Sequence, residues 1–250
     1  MVANNTGGVK SVDRAFLLLE RIAVAGGETT ISHLAEEVSL PLPTIHRLLR
    51  TLVASGYLRQ LPNKHYSLGP GLVRLGESAG QQLGAWARPH LAGLVEELGE
   101  TANMAILDDD RVTYVAQVPS AHSMRMFTEV GRRVHAHTSG VGKAILAQLT
   151  DRHVEEIVTS AGMPVATEHS IGTLGTLREE LTRIRARGFA VDDNEQEIGV
   201  RCFAVPVPGM PTPTAISVSG PETRVDDRFR DRAVPLLRDT ARRIAQRPLD

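Results

Sequence analysis

From Val38 to Gly76 the chain carries five Arg or Lys residues and no Asp or Glu, although 29 acidic residues are spread over its 250. Positive charge confined to one stretch of a protein with formal net charge -1 suits a polyanion, because Lys and Arg displace counterions condensed on phosphate. The same stretch restricts the fold. Ile31, Leu34, Ala35 and Val38 recur at helical spacing, with Thr30 or Ser32 as candidate N-cap. Pro41 and Pro43 interrupt that helix and restart the chain, since proline suits a first helical turn but not an interior. A second helix, about Pro43 to Ser55, buries Ile45, Leu48, Leu49, Leu52 and Val53 and turns Thr44, His46, Arg47, Arg50 and Thr51 the other way. Gly56 ends it, and Tyr57–Leu61 and His65–Leu68 alternate as strands around Pro62-Asn63-Lys64. Helix, break, Arg-bearing helix and hairpin together read as a winged helix-turn-helix.

The remaining chain organises around this module. Residues 1–10 read as a disordered tail, and Val12, Ala15, Phe16, Leu19, Ile22 and Ala23 predict a helix stopped by Gly26-Gly27. The DNA-reading unit then spans 11–70, a linker helix 71–84, and a second domain 85–250. In that domain Met104–Leu107 and Val112–Ala116 read as a hairpin around Asp108-Asp109-Asp110. Helical periodicity returns at 141–149, 151–161 and 174–187. Strands follow at Phe189–Val191, Val200–Val207 and Thr214–Ser219, and a helix closes the chain from about Asp226 to Gln246. Strands interleaved with helices around an antiparallel hairpin predict an α+β sensor domain. One cysteine, Cys202, excludes an intramolecular disulfide and a multi-cysteine metal site. With no signal-peptide core at the N-terminus and no run of roughly 18 apolar residues, the expected compartment is the cytoplasm.

A recognition helix presents polar residues to base edges while neighbouring cations hold phosphate. Thr44, Arg47 and Arg50 lie three residues apart on one face, and Arg pairs bidentately with guanine. Arg59, Lys64 and His65 place further donors on the wing. For each Arg a pure phosphate contact is the plainer alternative, and His46 has the alternative of packing against the first helix.

Several motifs in fixed order then resemble the IclR family of bacterial transcriptional regulators. They are Leu34-Ala35-Glu36-Glu37, Leu40-Pro41, Thr44-Ile45-His46-Arg47-Leu48-Leu49, Gly56-Tyr57 and Tyr66-Ser67-Leu68-Gly69 in the first half. The second half adds Gly131-Arg132-Arg133, Ser139-Gly140-Val141-Gly142-Lys143-Ala144-Ile145-Leu146, Arg187-Gly188-Phe189-Ala190, Glu197–Ala204 and Ala215–Pro221. The likeness covers about residues 10–246. It implies a winged helix-turn-helix joined by a linker helix to a GAF-like effector-binding domain. It also implies a homodimer or dimer of dimers, and in many members a repressor released by a pathway metabolite. Asn103-Met104-Ala105, Ala116–Ser120, His122–Phe127 and Asn194–Glu197 resemble regulators of allantoin and glyoxylate metabolism most. One departure is Leu42-Pro43, where the family usually has a Lys-Ser pair, so a phosphate contact of that pair is missing here.

The resemblance also implies a site for a small organic acid such as glyoxylate or allantoate. Positions matching Gly140 and Val141 present backbone amides to the acid. Those matching Asp192, Cys202, Ser217 and Ser219 contact its oxygens, and those matching Met126, Val134 and Val200 form an apolar wall. The residues themselves are compatible with that: a helix N-terminus favours an anion, and Ser217 and Ser219, like Val200 and Cys202, share one strand face. Asp192 is suited to accept from a hydrated aldehyde or a ureido N–H. The plainer alternatives are a buried apolar Cys202, a turn residue at Asp192, exposed strand serines and a mere cap at Gly140.

Two other readings remain open on sequence. His135-x-His137 is a two-histidine pair without a placed third ligand, although some family members bind zinc in this domain; no metal or other cofactor is expected. A metabolite-binding protein or enzyme using Cys202 lacks any local catalytic signature. The expected function is a repressor of a catabolic operon for allantoin, glyoxylate or purine ureides. An activator responding to an aromatic acid is the alternative within the same architecture.

Overall fold

The computed structural model describes residues 8–125 and 129–246. It divides the chain into two compact units, Met1–Ala79 and Gly80–Asp250. The division falls inside one helix, α4 (Gly71–Leu83), at the place where the sequence predicts a linker.

The first unit holds α1 (Lys10–Val24), β1 (Glu28–Thr29), α2 (Ile31–Glu37), α3 (Leu42–Ala54), β2 (Leu58–Gln60) and β3 (Tyr66–Leu68). The first helix begins at Lys10, at the end of the stretch expected to be a tail. Thr30, not Ser32, caps α2, accepting from the His33 amide at 3.1 Å. Leu18, Ile22, Leu34, Ile45, Leu49 and Leu58 pack into one core, each burial favouring the fold by roughly 1.5–3 kcal/mol. Leu48 and Val53, expected inside, are half-buried at its margin, because a three-helix core closes over only part of the apolar stripe of α3. The wing has three strands rather than two, in the order β1-β3-β2. The two residues of β1 are too few to show a period in sequence.

In the second unit a 3-10 turn at Ala85–Ala87 leads into α5 (Arg88–Leu98). Then come β4 (Thr101–Asp108), β5 (Arg111–Val118), β6 (Arg133–Val134), α6 (Gly140–Leu146), α7 (Asp151–Ala161) and α8 (Leu174–Arg187). The chain continues through β7 (Ala190–Asp193), β8 (Val200–Val207) and β9 (Thr214–Pro221) to α9 (Asp227–Ala245). The sheet order is β6-β5-β4-β9-β8-β7, with every neighbouring pair antiparallel. One face of this sheet, with Met104, Phe203, Val205, Ile216 and Val218, packs with Leu91, Leu94, Phe229 and Leu237 of α5 and α9. The other, with Ala105, Tyr114, Cys202, Ala204 and Ala215, packs with Val141, Ile145, Val154 and Leu181 of α6, α7 and α8. A sheet covered on both faces explains why its strands read as apolar runs rather than alternating ones.

Candidate DNA interface and effector site

On α3 the side chains of His46, Arg47, Arg50 and Thr51 are exposed and Thr44 is half-buried. Together with Pro43, Val53, Gln60 and Tyr66, His46, Arg47 and Arg50 line a groove of about 630 Å³ between α3 and the wing. His46 thus lies on the groove rather than against α1. Thr51 spends its hydroxyl proton on the Arg47 carbonyl at 3.0 Å and keeps only acceptor capacity outward. Arg59 on β2 and Lys64 at the wing tip are exposed. Among the described residues Arg47, Arg50, Arg59 and Lys64 have no ion-pair partner. Cations free of carboxylate partners are available to a phosphate backbone.

The wing carries one acid that the linear segment lacks. Glu28 of β1 accepts from Asn63 at 3.2 Å and pairs with Nδ1 of His65 at 2.9 Å. His65 is therefore engaged with β1, and Lys64, with φ +66°, is the residue that the turn pushes outward.

In the second unit the strand register gathers polar side chains under α6. Cys202 of β8 pairs with Asp192 of β7 on one side and Ser219 of β9 on the other. One pleat further, Ala190, Ala204, Ser217, Asn103 and Gln117 form the next row. Asp192 belongs to a strand, not a turn, and Ser217 and Ser219 are both buried. Gly140 is the first residue of α6, whose cap is Ser139, accepting from the Gly142 amide at 3.1 Å. The amides of Gly140 and Val141 therefore have no acceptor within the helix. A Cβ on Gly140 would lie 2.9 Å from Cys202 Sγ and 3.6 Å from the Asp192 Cβ, so the helix start rests on the polar row.

Two of the three expected wall residues are described. Val200 stands two residues before Cys202, on the same face of β8. Val134 pairs with Val112 on the β6 edge of the sheet and packs in the same apolar cluster as Tyr114 and Cys202. Met126 lies outside the described residues.

Four neighbours were not legible in the sequence. Asn103 donates to Ser219 Oγ at 3.1 Å and accepts from Gln117 at 3.1 Å, extending the polar row across five strands. Lys143, fully buried on α6, pairs with Glu195. Nothing in a lone Lys within an apolar helix foretells a partner 52 residues away. Asp192 Oδ1 accepts from the amides of Glu195 at 2.9 Å and Gln196 at 3.3 Å. Burial pushes the Asp192 carboxyl up to about 7, with Lys143 opposing and Glu195 adding to the rise. Burial, then the charge of Asp192, pushes the Cys202 thiol up to about 12, against a hydrogen bond with Ser217. Burial likewise raises the Tyr114 hydroxyl, with Cys202 and Asp192 beside it. A thiol so raised is no nucleophile.

His135 and His137 lie with ring centroids 5.3 Å apart, His135 bonded to Arg111 and His137 to the Pro164 carbonyl at 3.1 Å. Among the described residues no cluster of three or more His, Cys, Asp or Glu is arranged around a common point for a metal. No described helix is long and apolar enough to cross a membrane.

A family profile described as the IclR helix-turn-helix domain matches residues 11–62, and one described as the bacterial transcriptional regulator IclR C-terminal domain matches residues 79–246. The chain belongs to the IclR family of transcriptional regulators. Transcriptional repressor IclR of Escherichia coli is 37% identical over 229 residues, 89% of this chain and 84% of that one. The transcriptional repressor AllR of the same species is 30% identical over 244 residues, 95% and 90% of the two chains. The crystal structure of a transcriptional regulator from Alicyclobacillus acidocaldarius superposes with a TM-score of 0.83 at 26% identity, over 95% of this chain and 98% of that one. As an IclR-family member the protein is a DNA-binding regulator of transcription, not an enzyme, and Cys202 is a buried thiol of its effector-domain sheet rather than a nucleophile.

Proposed function

We propose that this IclR-family regulator is a repressor released from its operator by a small carboxylate. Thr44, Arg47 and Arg50 of α3 read the major groove, with His46, Arg59 and Lys64 on adjacent phosphates and the Thr51 hydroxyl oxygen free to accept from a base-edge amino group. The acid lies against the amides of Gly140 and Val141, its oxygens on Asp192, Cys202, Ser217 and Ser219 and its carbon skeleton toward Val200. Glyoxylate or allantoate is the effector class favoured by the branch resemblance, and allantoin, glyoxylate or purine-ureide catabolism the regulated pathway.

The observation that carries this reading is the polar row lying under the start of α6. These hydroxyls, thiol and carboxyl hold one another and nearby amides in an otherwise apolar interior, and their remaining protons and lone pairs can take a hydrogen-bonding ligand. Repression follows the names of the two relatives above. Assembly as a dimer or dimer of dimers is favoured by the unpartnered apolar side chains of Val12 and Phe16 on α1 and Val73 and Leu75 on α4. A cytoplasmic protein is implied by a DNA target.

The test is operator retention by the purified full chain in modest salt, with and without glyoxylate or allantoate. Arg47→Ala should weaken specific binding about tenfold and lessen its salt dependence. Ser219→Ala should blunt release by the acid. No preference for any promoter fragment over random duplex would reject the first half of the proposal, and release unaffected by Ser219→Ala the second. Ligand-stimulated transcription would replace repression by activation.

A further inference from the structure

The site proposed for an anion already holds two acids. Asp192 and Glu195 are 4% and 8% exposed, and the cation that meets them is Lys143, itself 1% exposed. Lys143 is bonded to Oε1 of Glu195, while Oε2 of Glu195 is buried with no hydrogen-bond partner. Two formal negative charges thus share one positive charge in an interior where charges are poorly screened. A carboxylate brought to the amides of Gly140 and Val141 would add a third.

The groups facing Asp192 leave few ways to balance that charge. From α6 comes Lys143, already used by Glu195, and from the segment after β7 comes Glu195. From β8 comes Cys202 and from β5 Tyr114, both held protonated by burial. Beyond Lys143, His137 is held neutral, its pKa lowered by burial and by the charges of Arg111 and Lys143 against the pull of the Pro164 carbonyl. Neither imidazole nor thiol supplies a cation. Burial raises the carboxyls of both Asp192 and Glu195, but Glu195 is held ionised by its bond to Lys143, whereas Asp192, pushed up to about 7, gains or loses a proton near neutrality at little cost.

We infer that the site takes up its carboxylate together with one solvent proton, which Asp192 holds, so that a neutral Asp192 donates to a ligand oxygen that an ionised Asp192 would repel. This rests on the effector site proposed above and adds a regulatory property to it. The regulator then reads acid and proton jointly, and responds to less metabolite as the surrounding pH falls. By linkage, a reaction that consumes a proton weakens about tenfold for each pH unit above the titration of the group concerned.

Calorimetric titration of the full chain with glyoxylate, ionised throughout the range, tests this at pH 6, 7 and 8.5. Two buffers of different ionisation enthalpy count the protons exchanged. Expected are a dissociation constant that rises about tenfold or more from pH 7 to 8.5 and uptake approaching one proton at pH 8.5. Asp192→Asn should flatten the pH profile. Equal affinity at all three pH values, or proton release on binding, overturns the inference and leaves the effector site standing. So does an undiminished slope in Asp192→Asn. If that variant does not fold, the proton count on the unaltered protein decides alone. Absence of glyoxylate and allantoate binding even at pH 6 removes the effector site itself, and the inference with it.

Discussion

Gly140 rests on Cys202. A methyl group at the Cβ position of Gly140 would lie 2.9 Å from the Cys202 sulfur, which is inside van der Waals contact. The helix start and the strand β8 are therefore as close as two backbones bearing one side chain between them can come. Gly140→Ala should displace α6 from the polar row, cost about 1–3 kcal/mol of stability, and reduce acid binding more than operator binding. Thermal unfolding beside operator retention checks it; unaltered acid binding would mean the ligand does not use this approach.

The Lys143–Glu195 pair is buried, so removing one partner strands the other. Lys143→Met should cost about 3–5 kcal/mol by leaving Glu195 uncompensated, and Lys143→Met with Glu195→Leu should recover most of that. Denaturant unfolding of the two variants measures it. Equal loss in both would show that packing at these positions, not charge, dominates.

Asp192 makes folding sensitive to pH. Its carboxyl is raised in the folded chain from an ordinary value near 3.8 to about 7. The native state therefore holds the proton more tightly than the unfolded one, and its stabilising effect is complete below about pH 4 and lost as pH rises through 7. Asp192→Asn should raise the melting temperature at pH 8, with no comparable gain at pH 4.5. A gain of the same size at both values would contradict the assignment.

Lys64 combines a cation with a left-handed backbone, φ +66°. Lys64→Gly should relieve the turn, stabilising the first unit by up to about 1 kcal/mol, while weakening DNA binding through the lost charge. Unfolding and anisotropy on the same samples separate the two effects. Stronger DNA binding by the glycine variant would place the wing tip away from phosphate.

Local signals made much of the architecture legible. The Arg-bearing α3 follows from its apolar spacing, with Pro41 before it and Pro43 in its first turn. Val200–Val207 is predicted and found with the same bounds, and 174–187 likewise matches α8. Short strands escaped, since β1 and β6 have two residues each and owe their existence to the strands they pair with. In the site, Ser217, Ser219, Cys202 and Asp192 stand out only with the family resemblance; register then places three of them in one row. Val134 and Val200 have the same apolar character, and the strands that stand between them could not be read from it, because sheet order is decided by pairings distant in sequence.

Periodicity, caps and breakers thus determined which segments are helices and strands, and the acid-free stretch marked the segment proposed to meet a polyanion, because these depend on neighbours a few residues apart. What tertiary structure alone decided is the company each polar group keeps. Asn103 beneath Ser219, Lys143 against Glu195 and Glu28 behind the wing are pairings across 116, 52 and 37 or fewer residues. A hydrogen bond or a desolvated charge depends on distance in space, and the chain sets that distance only once the sheet has closed.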